Sequence, residues 1–261
     1  MTTTKPIRRT RALTRDVSPA LARCELTFLE REPIDVLRAA AQHRAYCEAL
    51  SALGLDVVRL PGDAELPDCC FVEDNAVVVD EIAVMASMGA PSRRREVAAV
   101  EKALAADRRI ATIALPARLD GGDVLVVGRR VFVGQSQRTD AAGARALASA
   151  LAPFGYDVTP VAVTGCLHLK SAVTALDPET LLVNAGWIDV APLAGYDLVA
   201  VDPAEPFAAN VLAVAGRIVA HAGFDRTRAL VEARGYVVHP VDVSEFVKAE
   251  AGVTCKSIVY G

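Results

Sequence analysis

Residues 34–53 (IDVLRAAAQHRAYCEALSAL) end at Gly54 and run straight into Leu55-Asp56-Val57-Val58, and this arrangement recurs. Asp140 to Phe154 is followed by Gly155 and then Tyr156-Asp157-Val158. Asp225 to Arg234 is followed by Gly235 and then Tyr236-Val237-Val238. Each first part has the apolar spacing of an amphipathic helix and each last part is rich in β-formers. A glycine just past a helix adopts the left-handed conformation that closes its last turn, so the spacing predicts a repeated helix-turn-strand unit.

Between these units lie pairs of short apolar runs bounded by turn residues. They are Ala76–Val79 with Ile82–Ala86, Val124–Val127 with Val131–Val133, Ala172–Leu176 with Leu181–Val183, and Val211–Val214 with Ile218–Ala220. Gly128-Arg129 and Gly216-Arg217 are read as tight hairpin turns. A further helix from Ser92 to Leu104, with Ser92 as its cap, leads to a strand at Ile110–Ala114. A last strand, Ser257–Tyr260, is expected to pair with one near Arg11–Thr14 and close a ring, bringing the count towards five hairpin-helix-strand units. A doubly wound sheet is the competing arrangement. The hairpins weaken it, because two-residue turns join antiparallel strands and parallel ones need long crossovers. With no Pro-rich or Gly/Ser linker to divide the chain, one closed α/β domain over residues 1–261 is expected.

At 52% hydrophobic and 23% charged, the 261 residues can bury a substantial core without staples. A net charge of −4 and the lack of a basic stripe give nucleic acid or an anionic membrane no electrostatic handle, so a small molecule is the expected partner. Lys5, Arg8, Arg9, Arg11 and Arg15 are followed by no apolar run resembling a secretory signal, and no run is long enough to span a bilayer. Cys24, Cys47, Cys69, Cys70, Cys166 and Cys255 show no paired spacing, which fits free thiols in a soluble cytosolic protein better than a metal site or disulfide framework.

Several residues invite chemistry, each with an ordinary alternative. Cys255, between Gly252 and the last strand, is a nucleophile if its thiolate is stabilised; an inert core cysteine fits the local sequence as well. His168 sits between Leu167 and Leu169 at the entrance to an apolar hairpin, where a core histidine would look the same. Asp120-Gly121-Gly122-Asp123 is either a ligand-approaching loop or a plain β-turn. In Phe71-Val72-Glu73-Asp74, period-two alternation sends the two acids to opposite faces. Arg93 lies in Ser92-Arg93-Arg94-Arg95-Glu96, whose ordinary reading is a solvated helix start, and Arg138, which also precedes a helix, is suited to holding a carboxylate through two parallel hydrogen bonds.

Taken together and in order, Phe71-Val72-Glu73-Asp74, Gly89-Ala90-Pro91-Ser92-Arg93-Arg94, Leu119-Asp120-Gly121-Gly122-Asp123-Val124-Leu125, Leu167-His168-Leu169-Lys170-Ser171 and Val253-Thr254-Cys255 resemble the dimethylargininase family, from about Pro67 to the C-terminus. That family belongs to the penteins, so the resemblance implies a five-bladed α/β propeller and no cofactor or metal. It implies hydrolysis of Nω-methylated arginines to citrulline and a methylamine, with Cys255 as nucleophile, His168 as general acid and base, and Asp120 supporting the histidine. Asp74 resembles the acid that grips the guanidinium, with Asp68, Glu73 and Phe71 lining the same pocket and Arg93 and Arg138 clamping the substrate α-carboxylate. A homodimer is one assembly open to such a protein.

Arginine deiminases resemble a pattern with Arg-Asp at the place of Glu73-Asp74 and an acid at that of Lys170, so the motifs favour methylated over free arginine. Another guanidine hydrolase, or a non-catalytic pentein that binds an arginine analogue, are the alternatives. The sequence departs from the resemblance at Glu250, where relatives tend to have aspartate, and at Arg23-Cys24-Glu25-Leu26-Thr27, which does not match the expected N-terminal lid.

Overall fold

The structure, a computed structural model, describes residues 10–261; Lys5, Arg8 and Arg9 lie outside the described residues. Along the chain, β1 (Arg11–Arg15), α1 (Val36–Ala52) and β2 (Asp56–Leu60) are followed by β3 (Ala76–Val78), β4 (Ile82–Met85), α2 (Val97–Leu104) and β5 (Arg109–Thr112). Next come β6 (Val124–Val127), β7 (Arg130–Gln135), α3 (Ala141–Leu151) and β8 (Asp157–Ala162), then α4 (Leu169–Ala172), β9 (Val173–Ala175), β10 (Thr180–Val183) and β11 (Asp197–Ala200). The chain ends with β12 (Leu212–Val214), β13 (Arg217–His221), α5 (Asp225–Ala233), β14 (Val238–Val241), α6 (Ser244–Val247) and β15 (Ser257–Tyr260).

These strands form five three-stranded sheets: β3-β4-β5, β6-β7-β8, β9-β10-β11, β12-β13-β14 and β15-β1-β2. In each, the first two strands are antiparallel and the third joins parallel to the middle one. A parallel return needs a crossover, and α1, α2, α3 and α5 supply four of the five. The fifth, from β10 to β11, is a loop with one 3-10 turn at Ala191–Leu193. The fifth sheet is made from both ends of the described chain, with Arg11 opposite Tyr260 and Thr14 opposite Ser257, which closes the ring as the sequence indicated. The first strand of each sheet is innermost: β3, β6, β9, β12 and β15 together line a cavity of about 960 Å³ along the axis.

The three repeated glycines do what their positions predicted. Gly54, Gly155 and Gly235 have φ of 89°, 74° and 92°. Asp35 and Asp140 cap the helices that two of them end, accepting from Arg38 N at 3.0 Å and Gly143 N at 2.8 Å. Three expectations need correction. The α3 helix stops at Leu151 and finishes as a 3-10 turn, because Pro153 has no N–H to donate to the carbonyl of Ser149. Residues Pro91–Glu96 are 3-10 rather than the start of α2, and Ser92 caps nothing; its hydroxyl donates to Glu25 at 2.5 Å. The tighter winding eclipses side chains three apart and so sets Arg93 against Glu96. The second hairpin turn is Ala215-Gly216, both at positive φ, as two-residue turns matching strand twist require, so the register lies one residue from Gly216-Arg217.

A Cβ built on Gly155 meets no atom within 4 Å, so replacing it tests the backbone alone. We expect Gly155→Ala to destabilise the protein by roughly 1–2 kcal/mol, with Gly155→Asn losing clearly less, since Asn tolerates the left-handed region. Urea unfolding that shows no loss for Gly155→Ala would contradict this account of the repeat.

Candidate active site

The innermost strands are entered at one end of the ring by short turns, and these carry the candidate residues. Residues 72–75 lead into β3, 121–123 into β6, α4 into β9 and 254–256 into β15, while Asn210 precedes β12. The turns hydrogen-bond to one another across the axis. Asp74 Oδ1 accepts from Gly122 N at 3.1 Å, Lys170 Nζ meets Glu73 at 2.6 Å, and Thr254 Oγ1 donates to Glu73 at 2.5 Å. Asn210 joins Lys170 O and Thr254 through its amide. The approach demands glycine: a Cβ on Gly121 would lie 2.1 Å from Glu73 O, and one on Gly122 would lie 2.4 Å from Asp74 Oδ1 and 2.7 Å from His168 Nδ1. Because residues 72–75 are a 3-10 turn and not extended chain, period-two alternation does not apply. Glu73 and Asp74 both reach the cluster.

His168 immediately precedes α4 and is buried. Its Nε2 lies 3.1 Å from Asp120 Oδ2 and its Nδ1 lies 3.6 Å from Asp74 Oδ1. Burial disfavours the imidazolium, but Asp74, the hydrogen bond to Asp120 and the nearby Asp123 outweigh it and raise the pKa to about 9. The ring therefore carries its second proton at neutral pH. Asp120 is itself fixed by Gly89 N at 2.7 Å. For Asp74, burial is overcome by His168 and Arg93, which hold its carboxyl below the ordinary range.

Cys255 is half-buried, whereas the other five cysteines are buried, and all are free. Burial, then the charges of Glu73 and Asp74, push its thiol up to about 12. The substrate-free protein thus holds a protonated thiol under the charge of two carboxylates, in the same cluster of turns as a protonated imidazole.

The remaining predicted residues surround this centre. Asp68 is buried, accepts from Glu25 N with both oxygens at 3.2 Å, and has its pKa raised by burial to about 6 despite Arg93. The Phe71 ring packs edge-on against Phe246, 6.2 Å between centroids. Arg93, expected to hold a substrate carboxylate, is buried and engages Asp74 at 2.7 Å and both oxygens of Glu96 at 3.2 and 2.9 Å. Arg138 donates to Thr27 Oγ1 at 3.2 Å, while its Nη1 is buried without a hydrogen-bond partner among the described residues.

Several participants escaped the sequence reading. Asp123, fully buried, accepts from Leu169 N at 2.9 Å and Ser136 Oγ at 2.6 Å, and so ties the His168 turn to the Arg138 loop. It stands in the quoted motif but has no local feature that separates it from a turn residue. Glu96 was signalled by its i+3 spacing from Arg93. Glu250, at φ 58°, accepts with Oε1 from the backbone N–H groups of Thr27, Phe28 and Leu29 at 3.0, 2.5 and 2.5 Å, which fastens the unassigned N-terminal segment beside the site. No local pattern reveals a contact across more than 220 residues. Among the described residues no group of three or more His, Cys, Asp or Glu side chains is arranged to hold a metal ion, and no helix is long and apolar enough to cross a membrane.

Residues 28–189 match the family model described as N,N dimethylarginine dimethylhydrolase, eukaryotic. The N(G),N(G)-dimethylarginine dimethylaminohydrolase of Streptomyces coelicolor is 40% identical over 95% of this chain and 96% of its own, and that of Pseudomonas aeruginosa is 32% identical over 86% and 89%. A solved structure of the Pseudomonas aeruginosa protein, a cysteine-to-serine mutant complexed with citrulline, superposes with a TM-score of 0.93 at 30% identity, covering 97% of this chain and all of that one. The N-terminal domain of ArgZ, a cyanobacterial arginine dihydrolase, shares the fold at a TM-score of 0.83 and 16% identity over 95% and 97% of the two chains. The chain belongs to the dimethylarginine dimethylaminohydrolase family, within the five-bladed pentein fold.

Proposed function

We propose that this protein hydrolyses Nω-methylated arginines, asymmetric dimethylarginine and monomethylarginine, to citrulline and the corresponding methylamine. The observation that carries the reading is the His168 imidazole held between Asp120 and Asp74, in the same cluster of turns as the half-buried Cys255. Both acids of the cluster already have cationic partners, Glu73 in Lys170 and Asp74 in Arg93, and Asp74 Oδ1, turned towards Gly122 and His168, is the oxygen left for a guanidinium. A pocket with a second free acid would suit an unsubstituted guanidinium, so this charge balance favours the methylated one. Asp68, Glu73 and Phe71 form the pocket around the substrate. Arg138 Nη1 is offered to its α-carboxylate, with Arg93 supplying a second positive charge.

The route follows from the protonation states. Burial first, then the charges of Glu73 and Asp74, keep Cys255 protonated; a guanidinium seated on Asp74 offsets those charges and brings a cation to the sulfur, so the thiol loses its proton to solvent when substrate binds. The thiolate attacks the guanidinium carbon and forms the C–S bond. His168 donates its proton to the methylated nitrogen, the C–N bond breaks, and the amine leaves behind an S-alkylthiouronium. The neutral imidazole then takes a proton from water, the hydroxide oxygen adds to the same carbon, the C–S bond breaks to return the thiolate, and the hydroxyl left on carbon gives its proton to solvent as citrulline is released. Asp120 keeps the ring oriented through both half-reactions. Side chains and water supply every proton and electron pair, so no cofactor enters. A soluble cytosolic protein, acting as one catalytic domain over residues 1–261 with the homodimer as one assembly, fits this reading.

Incubation with asymmetric dimethylarginine is expected to release citrulline and dimethylamine, with a higher kcat/KM than for arginine. Equal or reversed preference would move the protein to the deiminases, and binding without turnover to the non-catalytic penteins. Because His168 must enter as imidazolium, the rate should fall as pH rises through about 9. Asp74→Asn should lose activity, since a charge-assisted hydrogen bond of roughly 1.5–3 kcal/mol is removed.

Acid-quenched protein sampled during turnover should carry a substrate-derived adduct on Cys255 alone among the six cysteines, and His168→Gly, which loses both the acid of the first half-reaction and the base of the second, should slow hydrolysis more than it lowers stability. Cys255→Ser should carry none and keep its fold by circular dichroism. An adduct on another cysteine refutes the assignment.

A further inference from the structure

Lys256 follows Cys255 in the same 3-10 turn and is 0% exposed, yet no carboxylate pairs with it among the described residues. Its ammonium donates to Gly252 O at 2.7 Å and lies 4.6 Å from the Tyr46 ring centroid and 5.1 Å from that of Phe246. Tyr46 is anchored by a 2.7 Å hydrogen bond to Ser257, and Phe246 packs against Phe71. The side chain therefore bends back along its own turn, tying residue 256 to residue 252 with Cys255 between them. A buried cation without a counter-ion is costly, and two aromatic faces and one carbonyl replace only part of its hydration.

We propose that Lys256 is a positioning residue for the nucleophile, its ammonium held by Gly252 and the two rings as the fixed counter-charge of the Cys255 thiolate. The inference rests on Cys255 being the nucleophile. The titratable groups around the pair are Glu73 and Asp74 on the 72–75 turn, Cys70 just before it, His43, Tyr46 and Cys47 on α1, and, at the α4 turn, Lys170 against Glu73 and His168 between Asp120 and Asp74. Glu73 and Asp74 oppose the thiolate, and burial keeps Cys70, Cys47 and Tyr46 protonated and uncharged. His43 is held neutral, first by burial and then by Lys256, at about 4. His168 and Lys170 are cations of another turn and are paired with Asp120, Asp74 and Glu73, whereas Lys256 is the cation on the nucleophile's own turn and has no carboxylate partner among the described residues. Burial lowers its own pKa to about 8, and of the groups that act to restore it, Cys255 is the strongest. The ammonium is therefore charged at neutral pH and discharges just above it.

Alkylation of substrate-free protein by iodoacetamide, with the label located on Cys255 by mass spectrometry, reads thiolate formation without any turnover. It stands whether or not methylarginine proves to be the substrate. In the unaltered protein the logarithm of the rate should rise with pH and flatten above about pH 8, where Lys256 loses its proton. Lys256→Met, which fits the aromatic slot without charge, should react about tenfold more slowly near neutrality, equivalent to one pKa unit, and rise without the break until the profiles converge. Lys256→Arg should recover part of the neutral rate, and thermal unfolding of each variant reports packing separately. An unbroken profile in the unaltered protein overturns the proposal even if the variants fail to fold. So does a folded Lys256→Met that keeps the original profile, or a folded Lys256→Arg no faster than Lys256→Met.

Discussion

The Asp74 carboxylate is the contact on which the rest of the centre depends. It receives Arg93 at 2.7 Å from one side, Gly122 N at 3.1 Å from a second, and stands 3.6 Å from His168 on a third, so three separate segments converge on one buried anion. Burial alone would protonate it; the two cations keep it ionised, and it in turn keeps His168 protonated. Removing one member of such a set strands the others in a region that water does not reach, which costs far more than the pair is worth in solvent. Stability and chemistry are thus carried by the same groups.

The ring explains why those segments meet. Each sheet begins with an innermost strand, and each innermost strand is entered from the same end through a short turn or loop. Five nearly equivalent positions therefore surround one axis, and the chain has diversified them: acids at 73–74, acid and glycines at 120–123, histidine at 168, asparagine at 210 and cysteine at 255. Gly121 and Gly122 are the geometric condition for this, because any side chain there would collide with Glu73 or with Asp74 and His168. The charged and polar contacts between turns join blades whose innermost strands do not pair with one another.

The repeat was legible because its signals are local. A helix that ends at a left-handed glycine and continues as a strand is encoded within about twenty-five residues, and Gly54, Gly155 and Gly235 each behave accordingly. The unit without a helix, β9-β10-β11, was harder to complete, since its crossover has no amphipathic period and β11 was not anticipated. The motif residues were legible by identity, and the structure brings Asp74, Asp120, His168 and Cys255 into one cluster of turns. Their partners were not. Asp123 beneath Leu169 and Glu250 under residues 27–29 are defined by tertiary contacts, and an acid that accepts backbone N–H groups from a distant segment has no sequence period to betray it. Arg93 is intermediate: its i+3 spacing from Glu96 is local, but its pairing with Asp74 joins two separate turns and has no local signal.

The placement of Cys255 ties the proposed chemistry to closure of the ring. The cysteine sits one turn before β15, and β15 has its place only because it pairs antiparallel with β1, more than 240 residues earlier. The same sheet is completed by β2, parallel to β1, and α1 covers it with Tyr46 reaching Ser257. The contacts nearest the sulfur are therefore among the most distant in sequence, and the loop-closure entropy they cost is recovered only once the ring is shut. Until then the turn from Gly252 to Lys256 lacks the Tyr46 face against which Lys256 packs, and Glu73 lacks Thr254. An open ring can hold every other sheet and still present an ordinary thiol, so the reactive centre belongs to the closed ring and to no subset of its blades.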